Sequence, residues 1–347
     1  MKFTRGTAAG AVGLAVAAVL VGATGAAASE DALPLPNYGD VAVDQVHQRV
    51  FVSGGPTANG IVVTDFRGRV TKRIDGQPGA TGLELSADGS SLYVALAAGD
   101  AVSVISTETL TETARHATGA QTCPTHLART GSLVWFGYGC AADWNAKIGK
   151  LDPAAAAPVD VSRPFGGATF QRAPLLASSG AEAGPVVAGQ LSLSQSTVRV
   201  FSQAGGDLAA GASGDVVGAS LNDLSVSPDG ATLYSASGSR GNVEAFAPAD
   251  LARRGSYATG VRPNSVASSP NNAFVATAIT TSGADDVKVY AVGGTLPVRT
   301  VQVDRTETAA TRGLAWSADL KRLFVITQQA NDPAPRLSVV TSPTDDD

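Results

Sequence analysis

The chain has 347 residues, enough for one large domain or two ordinary ones. Apolar residues make up 44% and charged residues only 16%, with 39 glycines, a balance that suits a turn-rich all-β protein better than a helical one. The net charge is −5 and no basic patch interleaved with aromatics occurs, which argues against nucleic acid as a partner.

Residues 1–28 read as a secretory signal. Lys2 and Arg5 give a positive start, and "AAGAVGLAVAAVLVGA" is an apolar run rich in Gly and Ala. Ala26-Ala27-Ala28 then fits a small-x-small cleavage site, with Ser29 opening the mature chain. The rival is an uncleaved anchor, but Glu30 and Asp31 follow directly and no Lys/Arg stop-transfer cluster does. No twin-Arg pair, no lipidation cysteine and no second apolar span is found. These features predict a secreted or cell-envelope protein whose residues 29–347 form a single domain.

From Val41 onward the chain repeats one phrase. "LSVSPDGATLYSAS", starting at Leu224, is an alternating apolar stretch, a Pro-Asp-Gly turn and a second alternating stretch, which is a β-hairpin by pattern and by turn chemistry. Asp accepts backbone bonds within such a turn, and Gly takes the positive φ that other residues resist. Related hairpins start at Val41, Leu83, His126, Leu175, Ser265 and Leu314. Their matching second-strand residues are Phe51, Tyr93, Trp135, Val187, Tyr234, Phe274 and Phe324, spaced 40 to 52 residues apart. That period, with strand patterning, is the signature of propeller blades. Each hairpin is followed by a third strand such as "GIVVTD" or "NVEAFA", and most by a fourth such as "RVTKRID" or "RRGSYAT". The predicted fold is therefore an all-β, seven-bladed propeller of four-stranded blades.

The last blade runs out of chain after "RLSVVTSP". The extended segment "ALPLPN", residues 32–37, is expected to supply its outer strand, an edge position where Pro34 and Pro36 are tolerated. "GGDLAAGASGD" reads as a Gly-rich loop between strands, not a nucleotide site, because no helix follows it. The Asp-Gly turns themselves could be taken for cation sites, but a calcium loop needs oxygen ligands at alternate positions and a late Glu. "SPDGATLYSA" offers one Asp and then an apolar strand.

"SADGSSLYVA", "SPDGATLYSA" and "SADLKRLFVI", each followed by a V-x-V-type strand, resemble the YVTN-type β-propeller repeat of secreted YncE-like, lactonase-like proteins. The resemblance spans nearly all of the predicted mature chain, with blade four, around "SSGAEAGPVVAGQ", departing from the pattern. It implies a seven-bladed fold and an extracellular setting. It leaves activity open, since some members resemble gluconolactonases and a fold does not fix a function.

Cys123 and Cys140, the only two cysteines, bracket the hairpin of blade three. Pairing Leu127 with Phe136 would put them opposite each other, and an exported chain meets oxidising conditions, so a disulfide is predicted. A reactive thiol beside His126 and a metal pair are the rivals, although sixteen intervening residues make no zinc-knuckle spacing.

Of three histidines, His47 falls in a turn and His116 on an outer strand, while His126 lies on an innermost strand and could face the central channel. No H-x-x-x-H pair, G-x-S-x-G elbow or phosphate loop is present, so no catalytic residue, metal ligand or cofactor is assigned. Aligning the blades places Asp40, Thr81, His126, Asn222, Asp223, Arg262, Asn264 and Arg312 near the channel mouth. Arg262 and Arg312 could grip a polar or acidic small molecule as forked donors; equally, these residues could simply satisfy one another. Three functions remain in view. One is a non-enzymatic, monomeric binding propeller for an extracellular protein, glycan or small polar ligand. Another is a lactonase-like hydrolase, for which Asp40, Asn222 and Asp223 would have to converge, with Glu84 the main inner-strand glutamate. The third is an adhesion module with a broad apolar face.

Overall fold

The computed structural model describes residues 1–2, 27–28, 32–281, 286–303 and 306–345. It is a ring of seven four-stranded antiparallel sheets. Blade five shows the plan, with strands Leu221–Val226, Leu233–Ser237, Asn242–Phe246 and Arg253–Ala258 running in order from channel to rim. Its second strand is buried along its length and its fourth is largely exposed. The inner and middle strands sit between neighbouring blades and need apolar residues on both faces, whereas a rim strand has one wet face. Blade contacts are thus apolar, as where Leu175, Val187 and Val200 of blade four pack with Leu224, Leu233 and Phe246 of blade five.

The repeated hairpin turn is closed by its own side chains. In blade five, the Ser227 hydroxyl donates to Asp229 Oδ1 (2.5 Å) while accepting from Thr232 N, and the same carboxylate oxygen accepts from Ala231 N (2.9 Å). Gly230 supplies the positive φ of 70°. Ser86/Asp88, Ser269/Asn271 and Ser317/Asp319 repeat the arrangement. The Oδ1 atom of each of these side chains faces a local N–H and O–H, so the phrase is a turn.

Three expectations need correction. Residues 32–37 do not form the outer strand of the last blade. That blade consists of Glu307–Trp316, Arg322–Gln329, Asp332–Thr341 and, at the edge, Ala27–Ala28, which pairs with Val339 and Ser338. Prolines at 34 and 36 remove every second N–H, so the segment holds by one backbone bond to blade seven, Leu33 N to Pro335 O (2.7 Å), by side-chain bonds from Arg73 to Pro34 O and from Gln328 to Asn37 Oδ1, and by packing. Leu33 and Leu35 are buried in the seam between blades seven and one with Val52, Phe324 and Val339, while Pro34 and Pro36 face solvent. The rest of the predicted leader, residues 3–26, lies outside the described residues.

The Gly-rich segment of blade four is not a loop. Asp207–Gly214 is its fourth strand, joined to Val198–Ala204 by a turn with positive φ at Gly205 and Gly206. A rim strand tolerates small residues because only one of its faces is packed. Finally, the seven second-strand residues are equivalent in six blades, not in all seven. Phe51, Tyr93, Trp135, Tyr234 and Phe324 stand opposite Ala42, Glu84, Ala128, Ser225 and Ala315. Val187 holds the same place in blade four, opposite Ala177, whereas in blade six it belongs to Ala276, so Phe274 alone is displaced. The turn fixes the register, and an aromatic side chain does not.

Candidate functional site

Five of the seven inner strands break register at the same level, just before they settle opposite the second strand. The breaks fall between Ala80 and Leu83, Pro124 and His126, Leu221 and Asp223, Pro263 and Ser265, and Ala309 and Leu314. Such bulges re-aim side chains at the end of a strand. Here they turn polar groups toward the neighbouring blade. Thr81 donates to Pro124 O (3.4 Å), Asn222 to Pro263 O (3.1 Å), and Asn264 to Ala309 O. Thr81, Asn222 and Asn264 thus stitch one inner strand to the next around the channel mouth.

Asp40 and Asp223 occupy equivalent positions in blades one and five. Each accepts the amide of its own successor through Oδ1, Val41 at 3.0 Å and Leu224 at 2.8 Å. Each also accepts an amide of the following blade through Oδ2, Leu83 at 3.1 Å and Val266 at 2.8 Å. His126 holds the same level in blade three. Between them lies Arg312, carried on the four-residue bulge of blade seven with a positive φ of 61°. Its guanidinium crosses to blade three, where Nη1 lies 2.8 Å from His126 Nδ1, and to blade one, where Nη2 donates to Gly39 O (2.6 Å). Asp40 Oδ2 stands 4.0 Å from Nη1, and the Tyr38 hydroxyl donates to Arg312 O (2.8 Å).

The charges are tightly held. Arg312 is always a donor, so His126 Nδ1 accepts and the ring proton sits on Nε2. Burial, then the Arg312 charge, keeps the His126 pKa well below its ordinary value, so the imidazole is neutral. Burial raises Asp40 against the pull of Arg312. Burial also lifts Asp223 to about 7, against its amide bond from Val266 and the Arg312 charge. Glu84 is lifted to about 7 by burial, opposed by Arg129 at 3.6 Å.

Arg312 and His126 lie between two cavities. Toward the hairpin end, a polar channel cavity of about 350 Å³ is lined by Asp40, Glu84, Asp223 and Arg312, and reaches Pro270 and Trp316. At the other end, a larger and mostly apolar pocket of about 540 Å³ opens at the mouth. Pro56, Ala97, Ala98, Ala173 and Leu191 wall it, with Thr81, Thr125, His126 and Arg172 as its polar groups. The cysteines also line it. They form the Cys123–Cys140 disulfide, with Cα atoms 5.1 Å apart. The expected register holds at Leu127–Phe136, but the bulge at Thr125 shifts Pro124 onto Tyr138, so the cysteines are not directly opposed. A positive φ of 45° at Cys123 closes the remaining distance.

Of the predicted mouth residues, Arg312 meets both His126 and Asp40, and Asp223 faces the channel cavity. Arg262, in the connection just before the inner strand of blade six, is exposed, and its guanidinium joins no described contact. Two participants carry no sequence signal. Tyr38 is recruited by a carbonyl 274 residues away, and Arg172 lies in the irregular connection into blade four. Among the described residues, one group of His, Cys or carboxylate side chains has metal-ligand spacing, Asp100 with Cys123 and Cys140. Its sulfurs are in the disulfide, and Asp100 accepts the amides of Gln121, Thr122 and Cys123.

No family model matches the chain, and no curated protein matches its sequence. Solved structures do match in fold. A structure of the mitotic checkpoint complex aligns with a TM-score of 0.67 at 16% identity, over 97% of this chain and 99% of that one. Hydrazine synthase of Kuenenia stuttgartiensis gives 0.66 at 15% identity over 91% and 99%. The Cps50 (Swd1) β-propeller domain of Myceliophteria thermophila gives 0.65 at 12% over 89% and 98%. At such identities the likeness is one of architecture, and the chain is a seven-bladed β-propeller.

Proposed function

We propose that the chain is an exported, YVTN-like binding propeller that holds a small extracellular ligand at the channel mouth. The mouth pocket of about 540 Å³ supports this reading most directly, because it is of ligand size, apolar, and carries a few convergent polar groups. Export is supported by the leader-like N-terminus and by the disulfide on the pocket wall. Removing residues 1–28 would take the Ala27–Ala28 strand with it, leaving Leu33 and Leu35 to close the ring.

Binding is favoured over lactone hydrolysis by how the carboxylates are used. Asp40 and Asp223 line one cavity, but each holds amides of two blades through both oxygens, and Asn222 donates to the next blade, so all three are committed to joining blades. His126 is paired with Arg312 and His47 with Asp44, rather than with a hydroxyl or thiol. Two measurements test the proposal. N-terminal mass analysis of the protein recovered from culture medium should give Ser29. A thermal-shift panel of EDTA, calcium, aldono-lactones and cell-wall glycans should show stabilisation by an organic ligand and none by calcium. A ligand at a hundred times its Kd stabilises by about 2.7 kcal/mol. Loss of stability in EDTA restored by calcium would replace this reading with a metal-dependent hydrolase.

A further inference from the structure

The polar groups of the mouth pocket are asymmetric in charge. Among the described residues that line it, none is acidic, and one, Arg172, is a cation. Arg172 is exposed, and its guanidinium has no hydrogen-bond or ion-pair partner among the described residues. The guanidiniums of Arg115, Arg129 and Arg336, by contrast, are matched to carboxylates or carbonyls.

A second group is also open. His126 is only 6% exposed. Its Nδ1 is taken by Arg312, which fixes the proton on Nε2, and Nε2 has no partner among the described residues. A buried imidazole N–H without a partner costs free energy unless water or a ligand accepts its proton. His126 lines this pocket, so the acceptor has to come from within it. The Thr81 and Thr125 hydroxyls already donate to backbone carbonyls, and the rest of the surface is largely methyl, methylene and disulfide sulfur. Trp144, 55% exposed, is tied through its amide to Gln171 O, next in the chain to Arg172.

We infer that the mouth pocket takes a small organic anion with an apolar body, its acid group on Arg172 and an oxygen acceptor on His126 Nε2. This rests on the binding function proposed above and adds the ligand class. A neutral ligand would leave Arg172 unused, and a cation would meet it with like charge.

Calorimetric titration of the full-length protein at neutral pH can test this. The probes are phenylacetate, 4-phenylbutyrate and 2-naphthylacetate, their primary amides, and 2-naphthylethylamine. At least one acid should bind saturably at one site, about tenfold or more tighter than its amide. Arg172→Ala should bring acid and amide to the same affinity, and Arg172→Lys should keep part of the preference. Arg172 is exposed, so neither variant should unfold the protein. Equal binding of acid and amide to the wild type would overturn the anion assignment and leave a binding pocket standing. A preference for the acid that survives Arg172→Ala would overturn the placement of the acid group. Binding by none of the probes would overturn both this inference and the small-ligand function.

Discussion

The two ends of the propeller are built from the same strands and treat polar side chains in opposite ways. At the hairpin end, Ser227 and Asp229, and their counterparts in other blades, bond only within their own turn. At the mouth end, Thr81, Asn222 and Asn264 bond to the next blade, Arg312 reaches across the ring, and His126 Nε2 and Arg172 are left open. One end repeats because every blade needs the same turn. The other end diversifies because each contact depends on what the neighbouring blade offers. Groups with spare bonding capacity, the raw material of binding, therefore gather at the mouth.

The contrast can be broken in several ways, beginning with the largest expected effect. Cys123→Ser with Cys140→Ser should lower stability by about 3 kcal/mol, read as the denaturation midpoint. Reductant should reproduce the loss in the wild type and not in the variant. Gly82→Ala attacks the mouth-end stitching, since its Cβ would meet Thr125 O at 2.7 Å and Leu127 N at 3.0 Å. Overpacking between two backbones should cost on the order of 2 kcal/mol.

Asp223 gives the mouth a pH signature. Burial holds its folded pKa near 7, above the ordinary carboxyl value, so the folded state keeps a proton that the unfolded chain loses near pH 4. Its contribution is fully present below about pH 4 and is lost as pH rises to about 7. Asp223→Asn should flatten the decline in melting temperature across that window. An unchanged slope would place the proton elsewhere. Asp229→Ala, at the hairpin end, should cost about 1 kcal/mol for two lost local bonds, with no change in any ligand affinity. Arg172→Ala should fall within about 0.5 kcal/mol of the wild type in stability, because its exposed guanidinium has no partner among the described residues. If it cost as much as Asp229→Ala, the mouth would be no freer than the turns.

How far each feature was legible follows from the distance over which its bonds run. The turn around Asp229 was readable because its partners lie within five residues. The disulfide was readable although its supporting register was wrong, since a one-residue bulge at Thr125 still leaves the Cα atoms 5.1 Å apart. Blade four's rim strand was misjudged because Asp207–Gly214 lacks the β-branched residues that mark packed strands. The edge of blade seven was misassigned because "ALPLPN" alternates like a strand, yet its prolines leave too few N–H groups for a ladder.

By itself, then, the amino-acid sequence determined the blade count, the strand order within each blade and the hairpin turns, all of which depend on local periodicity and on bonds between near neighbours. Only the tertiary structure decided which mouth residues meet. Arg312 finds His126 across 186 residues and Gly39 across 273, and Tyr38 finds Arg312 across 274. Closing the ring brings those residues together, and no periodicity along the chain records which side chains a closed ring will place face to face.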